Sequence, residues 1–199
     1  NAFCDGLKRV DAAINKACSI GKMSKTEADV AKEAFRGGTD YSNLGDCDLV
    51  IEAVFEDMGV KKDVFAKLDA ATRSNTVLAT NTSYLDVDEI AKAVNDPTRV
   101  IGLHFFSPAH VMKLLEVIVT AKASADALAT GISLGHRLKK TIAAAGVCDG
   151  FIGNRIMSAY RREADYMIED GALPHEVDEA MTDFGFPMGI FAMQDLAGL

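Results

Sequence analysis

Three short apolar runs, each followed by a polar residue or a stretch of helical periodicity, limit this chain to few folds. Leu49-Val-Ile-Glu-Ala-Val-Phe55 precedes a helical segment from Asp57 to near Arg73, and Val77-Leu-Ala79, within Asn75 to Thr80, precedes one from Asp86 to Val94. A third run covers Arg99 to His104. Runs this short fit strands buried on both faces. Strands alternating with helices of about ten or more residues specify a parallel sheet wound with right-handed crossovers, an α/β fold.

In open parallel sheets ligands bind beyond the carboxyl ends of the strands. Here those ends carry Glu56, then Asn81 and Ser83, then His104. The connection from Phe105 to Met112 is shorter than the roughly dozen residues a parallel crossover needs, so Lys113 to Val119 should return antiparallel. If the return is roughly symmetric about Ala109-His110, an assumption about register, His104 falls opposite Glu116. A carboxylate across from an imidazole fixes the ring tautomer and raises its basicity.

Around this centre the pattern is helical at first. Phe3, Leu7, Val10, Ile14, Ala17 and Cys18 recur at helical spacing from Asn1 to about Ile20, and Ser24-Lys-Thr-Glu27 has capping-box spacing for a second helix to about Phe35. After the central runs come a helix over Ser124 to Lys139 and a strand over Thr141 to Val147. Beyond Cys148-Asp149-Gly150 only helices are expected: Phe151 to Asp170, another starting at Pro174, then a loop over Phe184 to Gly189. This places a domain boundary at Asp149, with residues 1–149 a wound α/β unit and residues 150–199 the start of a helical one.

Composition excludes some functions. The net charge of −8 leaves no basic stripe for nucleic acid, and no apolar segment approaches the roughly 20 residues that span a bilayer. Cys4, Cys18, Cys47 and Cys148 show no C-x-x-C spacing, so no metal site is expected and the thiols read as reduced. His110, His136 and His175 read as surface residues. A bland reading of Glu116 is a buried ion pair with Lys113 or Arg99, and Asn81-Thr-Ser83 also reads as a helix cap. A serine hydrolase using Ser83 and His104 lacks the Gly-x-Ser-x-Gly elbow. Gly150-Phe-Ile-Gly153 suits a hinge at least as well as a phosphate loop.

Several motifs in order carry a resemblance. Asp48-Leu-Val-Ile-Glu-Ala-Val-Phe-Glu56, Asn81-Thr-Ser83, Gly102-Leu-His-Phe-Phe-Ser-Pro108, Val111-Met-Lys-Leu-Leu-Glu-Val117, Asp149-Gly-Phe-Ile-Gly-Asn-Arg155 and Phe186-Pro-Met-Gly189 resemble the 3-hydroxyacyl-CoA dehydrogenases. The likeness is greater to the dehydrogenase part of multifunctional β-oxidation enzymes than to the short single-function form. It implies a Rossmann-like domain followed by an all-α domain, and NAD-dependent oxidation of an (S)-3-hydroxyacyl-CoA to the 3-oxoacyl-CoA.

By that resemblance His104 takes the hydroxyl proton and Glu116 orients and charge-balances it. Ser83 and Asn154 hydrogen-bond the substrate oxygens. Glu56, Lys61, Ser83 and Ser107 contact the cofactor, Ser107 standing where some members have asparagine. It also implies a homodimer or a part of a larger multifunctional chain, cytoplasmic in bacteria and peroxisomal or mitochondrial in eukaryotes. The family's first strand, its Gly-x-Gly-x-x-Gly turn and the acidic residue ending its second strand are not in this sequence. The chain is therefore expected to be an excerpt of a longer one, with NAD affinity severely reduced without the pyrophosphate turn. The alternative reading is a non-catalytic binding or structural protein on the same scaffold.

Overall fold

The computed structural model describes residues 2–197. Two helices come first, α1 (Ala2–Ser19) and α2 (Lys25–Ala34), and Asn1, where the first was expected to begin, lies outside the described residues. The capping box at α2 forms as its spacing predicts: Ser24 Oγ accepts the Glu27 N–H at 3.2 Å and the Glu27 carboxylate accepts the Ser24 N–H at 2.7 Å.

The wound unit follows as β1 (Leu49–Glu52), α3 (Met58–Ala71), β2 (Val77–Thr80), α4 (Val87–Ala91), β3 (Val100–Phe105), β4 (Leu114–Val119), α5 (Ala125–Arg137) and β5 (Thr141–Gly146). The five strands lie in chain order in one sheet. β1, β2 and β3 run parallel, β4 returns antiparallel, and β5 is parallel to β4 after the crossover through α5. The expected register holds, with His104 directly opposite Glu116.

Period-two alternation divides the core between the two faces of the sheet. Leu78, Val100 and Ile118 pack with Phe65 and Leu68 of α3 and with Val87 and Ile90 of α4. Val77, Ala79, Ile101, Leu103, Leu115 and Val117 face the other way, under α5. There Gly131 lets the helix approach: a Cβ on it would lie 2.8 Å from Ile101 Cδ1.

Three helices follow among the described residues: α6 (Gly153–Glu169), α7 (Pro174–Phe184) and α8 (Ile190–Ala197). They bury Ala164, Val177 and Ile190 together. No helix among the described residues is long and apolar enough to cross a membrane. Cys4, Cys18, Cys47 and Cys148 are free thiols.

Some boundaries differ from those expected. β1 stops at Glu52 rather than Phe55, because the Glu52 carboxylate accepts the Val54 N–H at 2.6 Å and turns the chain away from the ladder. α4 stops at Ala91 rather than Val94, since Ala93 and Val94 bond back three residues and tighten the last turn. The 3₁₀ turn Tyr41–Leu44 and helix α8 were not expected. α8 is too short to show a periodic signal, and its first N–H groups are held from a distance by Asp178, which accepts from Phe191 and Ala192 at 2.9 Å each.

Candidate active site

β3 and β4 are neighbours in the sheet, so opposed residues on one face meet. His104 Nδ1 lies 2.6 Å from Glu116 Oε2, with His104 4% and Glu116 0% exposed. The imidazole is closed in by the Phe106 ring at 4.5 Å and the Phe151 ring at 5.8 Å between centroids. With Nδ1–H donated to the carboxylate, Nε2 is left as the acceptor of a proton.

Glu116 has a second task. α6 begins without a side-chain cap of its own, and the Glu116 Oε1 accepts the N–H groups of Ile152 at 3.0 Å and Gly153 at 2.8 Å. A carboxylate from β4 thus caps a helix of the last segment, where the helix dipole favours negative charge. The Lys113 and Arg99 pairings considered for Glu116 are not made. Arg99 instead holds Asp69 at 2.6 Å and the carbonyls of Arg73 and Thr76. Gly153 lets the Phe106 ring lie close: a Cβ there would fall 2.6 Å from Phe106 Cζ, and the ring would have to shift.

At the ends of β1 and β2 a second polar network forms. Lys61, on the first turns of α3, is fully buried, with its ammonium 2.8 Å from Glu52 Oε1 and 3.5 Å from Glu56 Oε2. Glu52 also accepts the Thr80 hydroxyl at 2.7 Å. The Glu56 Oε1 accepts the Thr82 hydroxyl, the Ser83 N–H at 2.8 Å and the Tyr84 N–H at 3.1 Å. The Lys61 side chain, expected at the cofactor, therefore sits beneath the strand ends and reaches the surface through Glu56.

Burial raises the pKa of the Glu56 carboxyl, but the hydrogen bonds from Thr82, Ser83 and Tyr84 and the Lys61 charge outweigh it. The result lies below the usual carboxylate range. A carboxyl lowered on folding contributes stability that is whole above its unfolded pKa and is lost as pH falls through the folded one. Urea midpoints taken from about pH 6 down to about pH 3 should therefore show the difference between wild type and Glu56→Gln shrinking on the acid side. A difference independent of pH would show that the Glu56 charge has no part in it.

The remaining expected residues lie around this edge. Ser83 is half-buried and Ser107 exposed, just past the end of β3. Asn154 is buried, one residue beyond the amides that hold Glu116, and its carboxamide makes no hydrogen bond among the described residues. The Ser83 hydroxyl is likewise without a hydrogen bond there. His110, His136 and His175 are exposed, as expected. Among the described residues no group of His, Cys, Asp or Glu could hold a metal ion.

Reading the residues alone missed the cap Glu116 places on α6 and the anchor under Glu56. A signal for the anchor exists: Glu52 inside an apolar strand needs a cation, and Lys61 follows on the next helix.

Two family models match the chain: the NAD binding domain of 3-hydroxyacyl-CoA dehydrogenase over residues 1–147 and its C-terminal domain over residues 150–199. The peroxisomal bifunctional enzyme of Homo sapiens is 45% identical over 199 residues, all of this chain and 27% of that protein. That of Danio rerio is 53% identical over 157 residues, 79% of this chain and 22% of that protein. The chain thus spans about a quarter of the length of these relatives. Among solved structures, a 3-hydroxybutyryl-CoA dehydrogenase from Escherichia coli K12 superposes with a TM-score of 0.93 at 35% identity, covering 98% of this chain and 42% of that one. Matched over nearly its whole length in sequence and in fold, the chain belongs to the 3-hydroxyacyl-CoA dehydrogenase family.

Proposed function

We propose that this chain forms much of the dehydrogenase unit of a longer multifunctional β-oxidation enzyme, oxidising an (S)-3-hydroxyacyl-CoA to the 3-oxoacyl-CoA with NAD. The observation that carries this is the His104–Glu116 pair, a buried imidazole at the carboxyl edge of the sheet with Nδ1 held and Nε2 without a hydrogen bond among the described residues. The division into a wound unit over residues 1–149 and a helical one over 150–199 belongs to the same proposal. If the organism is eukaryotic, the relatives named above favour a peroxisome.

The residues at this edge fit a dinucleotide's nicotinamide end. The Ser83 hydroxyl and the Asn154 carboxamide have no hydrogen bond among the described residues, and Ser107 is exposed just past the end of β3. NAD, when bound, supplies the hydride acceptor. His104 Nε2 takes the proton of the substrate's 3-hydroxyl, and Glu116 stabilises the imidazolium that results. Ser83 and Asn154 hold the substrate oxygens so that the hydroxyl meets Nε2. Glu56 and Lys61 keep the 82–84 loop in place for the cofactor, and Phe106 and Phe151 exclude water from the ring.

The test is NADH oxidation followed by absorbance, with acetoacetyl-CoA and the full polypeptide that carries this chain. Turnover of acetoacetyl-CoA is expected. No turnover at any substrate concentration would favour a non-catalytic binding protein on the same scaffold.

A further inference from the structure

The last register pair between β2 and β3 is Thr80 with Gly102. β3 continues for three more residues, Leu103, His104 and Phe105, while still paired with β4 on its other side. The β2-facing edge of β3 is therefore left without a strand at the residues around the imidazole.

Asn81 fills that gap. Its own N–H donates to the Glu52 carbonyl of β1 at 2.8 Å, and its side-chain Oδ1 accepts the Phe105 N–H at 2.8 Å. One residue thus extends the β1–β2 ladder through its backbone and the β2–β3 ladder through its side chain. The Phe105 N–H belongs to the peptide group that carries the His104 carbonyl, and that group is planar. Holding the N–H holds the plane, and the plane determines the direction in which the His104 side chain leaves the strand.

We propose that Asn81 is a positioning residue for His104, closing the open edge of β3 at Phe105 and so aiming the imidazole at its substrate. β4 holds the same histidine from the other side through Glu116. The loop that bears Asn81 is itself fixed two residues on, where Glu56 accepts the Ser83 N–H. The Asn81 Nδ2 makes no hydrogen bond among the described residues, so Oδ1 is the atom that carries the role. The catalytic half of this inference rests on the function proposed above.

A misplaced base loses rate rather than substrate affinity, by up to about 10²-fold for a displacement near 1 Å. In the full polypeptide, Asn81→Ala should lower kcat for acetoacetyl-CoA reduction by about tenfold or more, with KM and the NADH dissociation constant within about twofold. Asn81→Asp keeps an acceptor oxygen and should recover most of kcat. An unchanged kcat in Asn81→Ala, a change confined to KM, or an Asp variant as slow as the Ala variant would each overturn the proposal.

Hydrogen exchange at the Phe105 amide, read by mass spectrometry of the peptide around it, tests the geometry without activity. Exchange should quicken in Asn81→Ala and stay slow in Asn81→Asp. Equal exchange in all three proteins would sink the proposal even if turnover had changed. Absence of turnover in the unmutated polypeptide would instead count against the proposed function, and the exchange result would still decide whether Asn81 holds the peptide.

Discussion

Alanine in place of His104 should lower kcat of the full polypeptide by about 10² to 10⁴, the range that a positioned base contributes. The expectation follows from the tautomer. Glu116 Oε2 occupies Nδ1 at 2.6 Å, and two backbone N–H groups fix the same carboxylate through Oε1, so turning the ring over would break its bond to an acceptor that is held in place. Nε2 is the nitrogen left to take a proton. No other histidine takes its place in the buried pair, since His110, in the β3–β4 connection, and His136 and His175, on α5 and α7, are all exposed. The measurement is steady-state absorbance of NADH with acetoacetyl-CoA, with KM expected to move far less than kcat. Equal rates for wild type and His104→Ala would remove the assignment of the base.

The largest effect on stability is expected at Lys61. Lys61→Met leaves the Glu52 carboxylate buried with no cation, and breaking a buried pair in this way costs about 3–5 kcal/mol. The Thr80 hydroxyl and the Val54 N–H would still bond to Glu52, which places the loss within that range rather than above it. Adding Glu52→Gln removes the stranded charge, keeps an amide oxygen for the Val54 N–H and offers its NH2 to the Thr80 hydroxyl oxygen, so the double variant should be more stable than Lys61→Met alone. Urea unfolding by circular dichroism reads both. A loss below about 1 kcal/mol for Lys61→Met would mean that the Glu52 carboxylate left behind is hydrated, as in exposed pairs.

These two residues differ in how far their surroundings could be read from the chain. His104 and Glu116 are twelve positions apart across a connection too short for a parallel crossover, and that length alone calls for an antiparallel return. Connection length gives the register only roughly, and a slip of one residue would turn every side chain to the other face, so it is the structure that sets His104 against Glu116. Lys61 followed the opposite course. Its position in the first turns of a helix, beside Asp57 and Lys62, has the look of a solvated face, yet it is buried against Glu52 at the end of β1, which stops there instead of at Phe55. That early end is produced by a side-chain bond to Val54, which no periodicity records.

The succession of strands and helices and the antiparallel return were determined by sequence alone, because apolar periodicity and connection length act over a few neighbouring residues; the register that pairs His104 with Glu116 was an assumption there, and the structure decides it. The cap that Glu116 places on α6, the clasp of Asn81 on Phe105 and the path from Lys61 through Glu56 to the Ser83 loop were decided by tertiary structure. Each joins polar groups that are 24 or more positions apart in the chain, apart from Lys61 and its two carboxylates. Such groups meet only after the sheet has removed them from water. Only then does an unsatisfied N–H or carboxylate cost enough to select one partner among many.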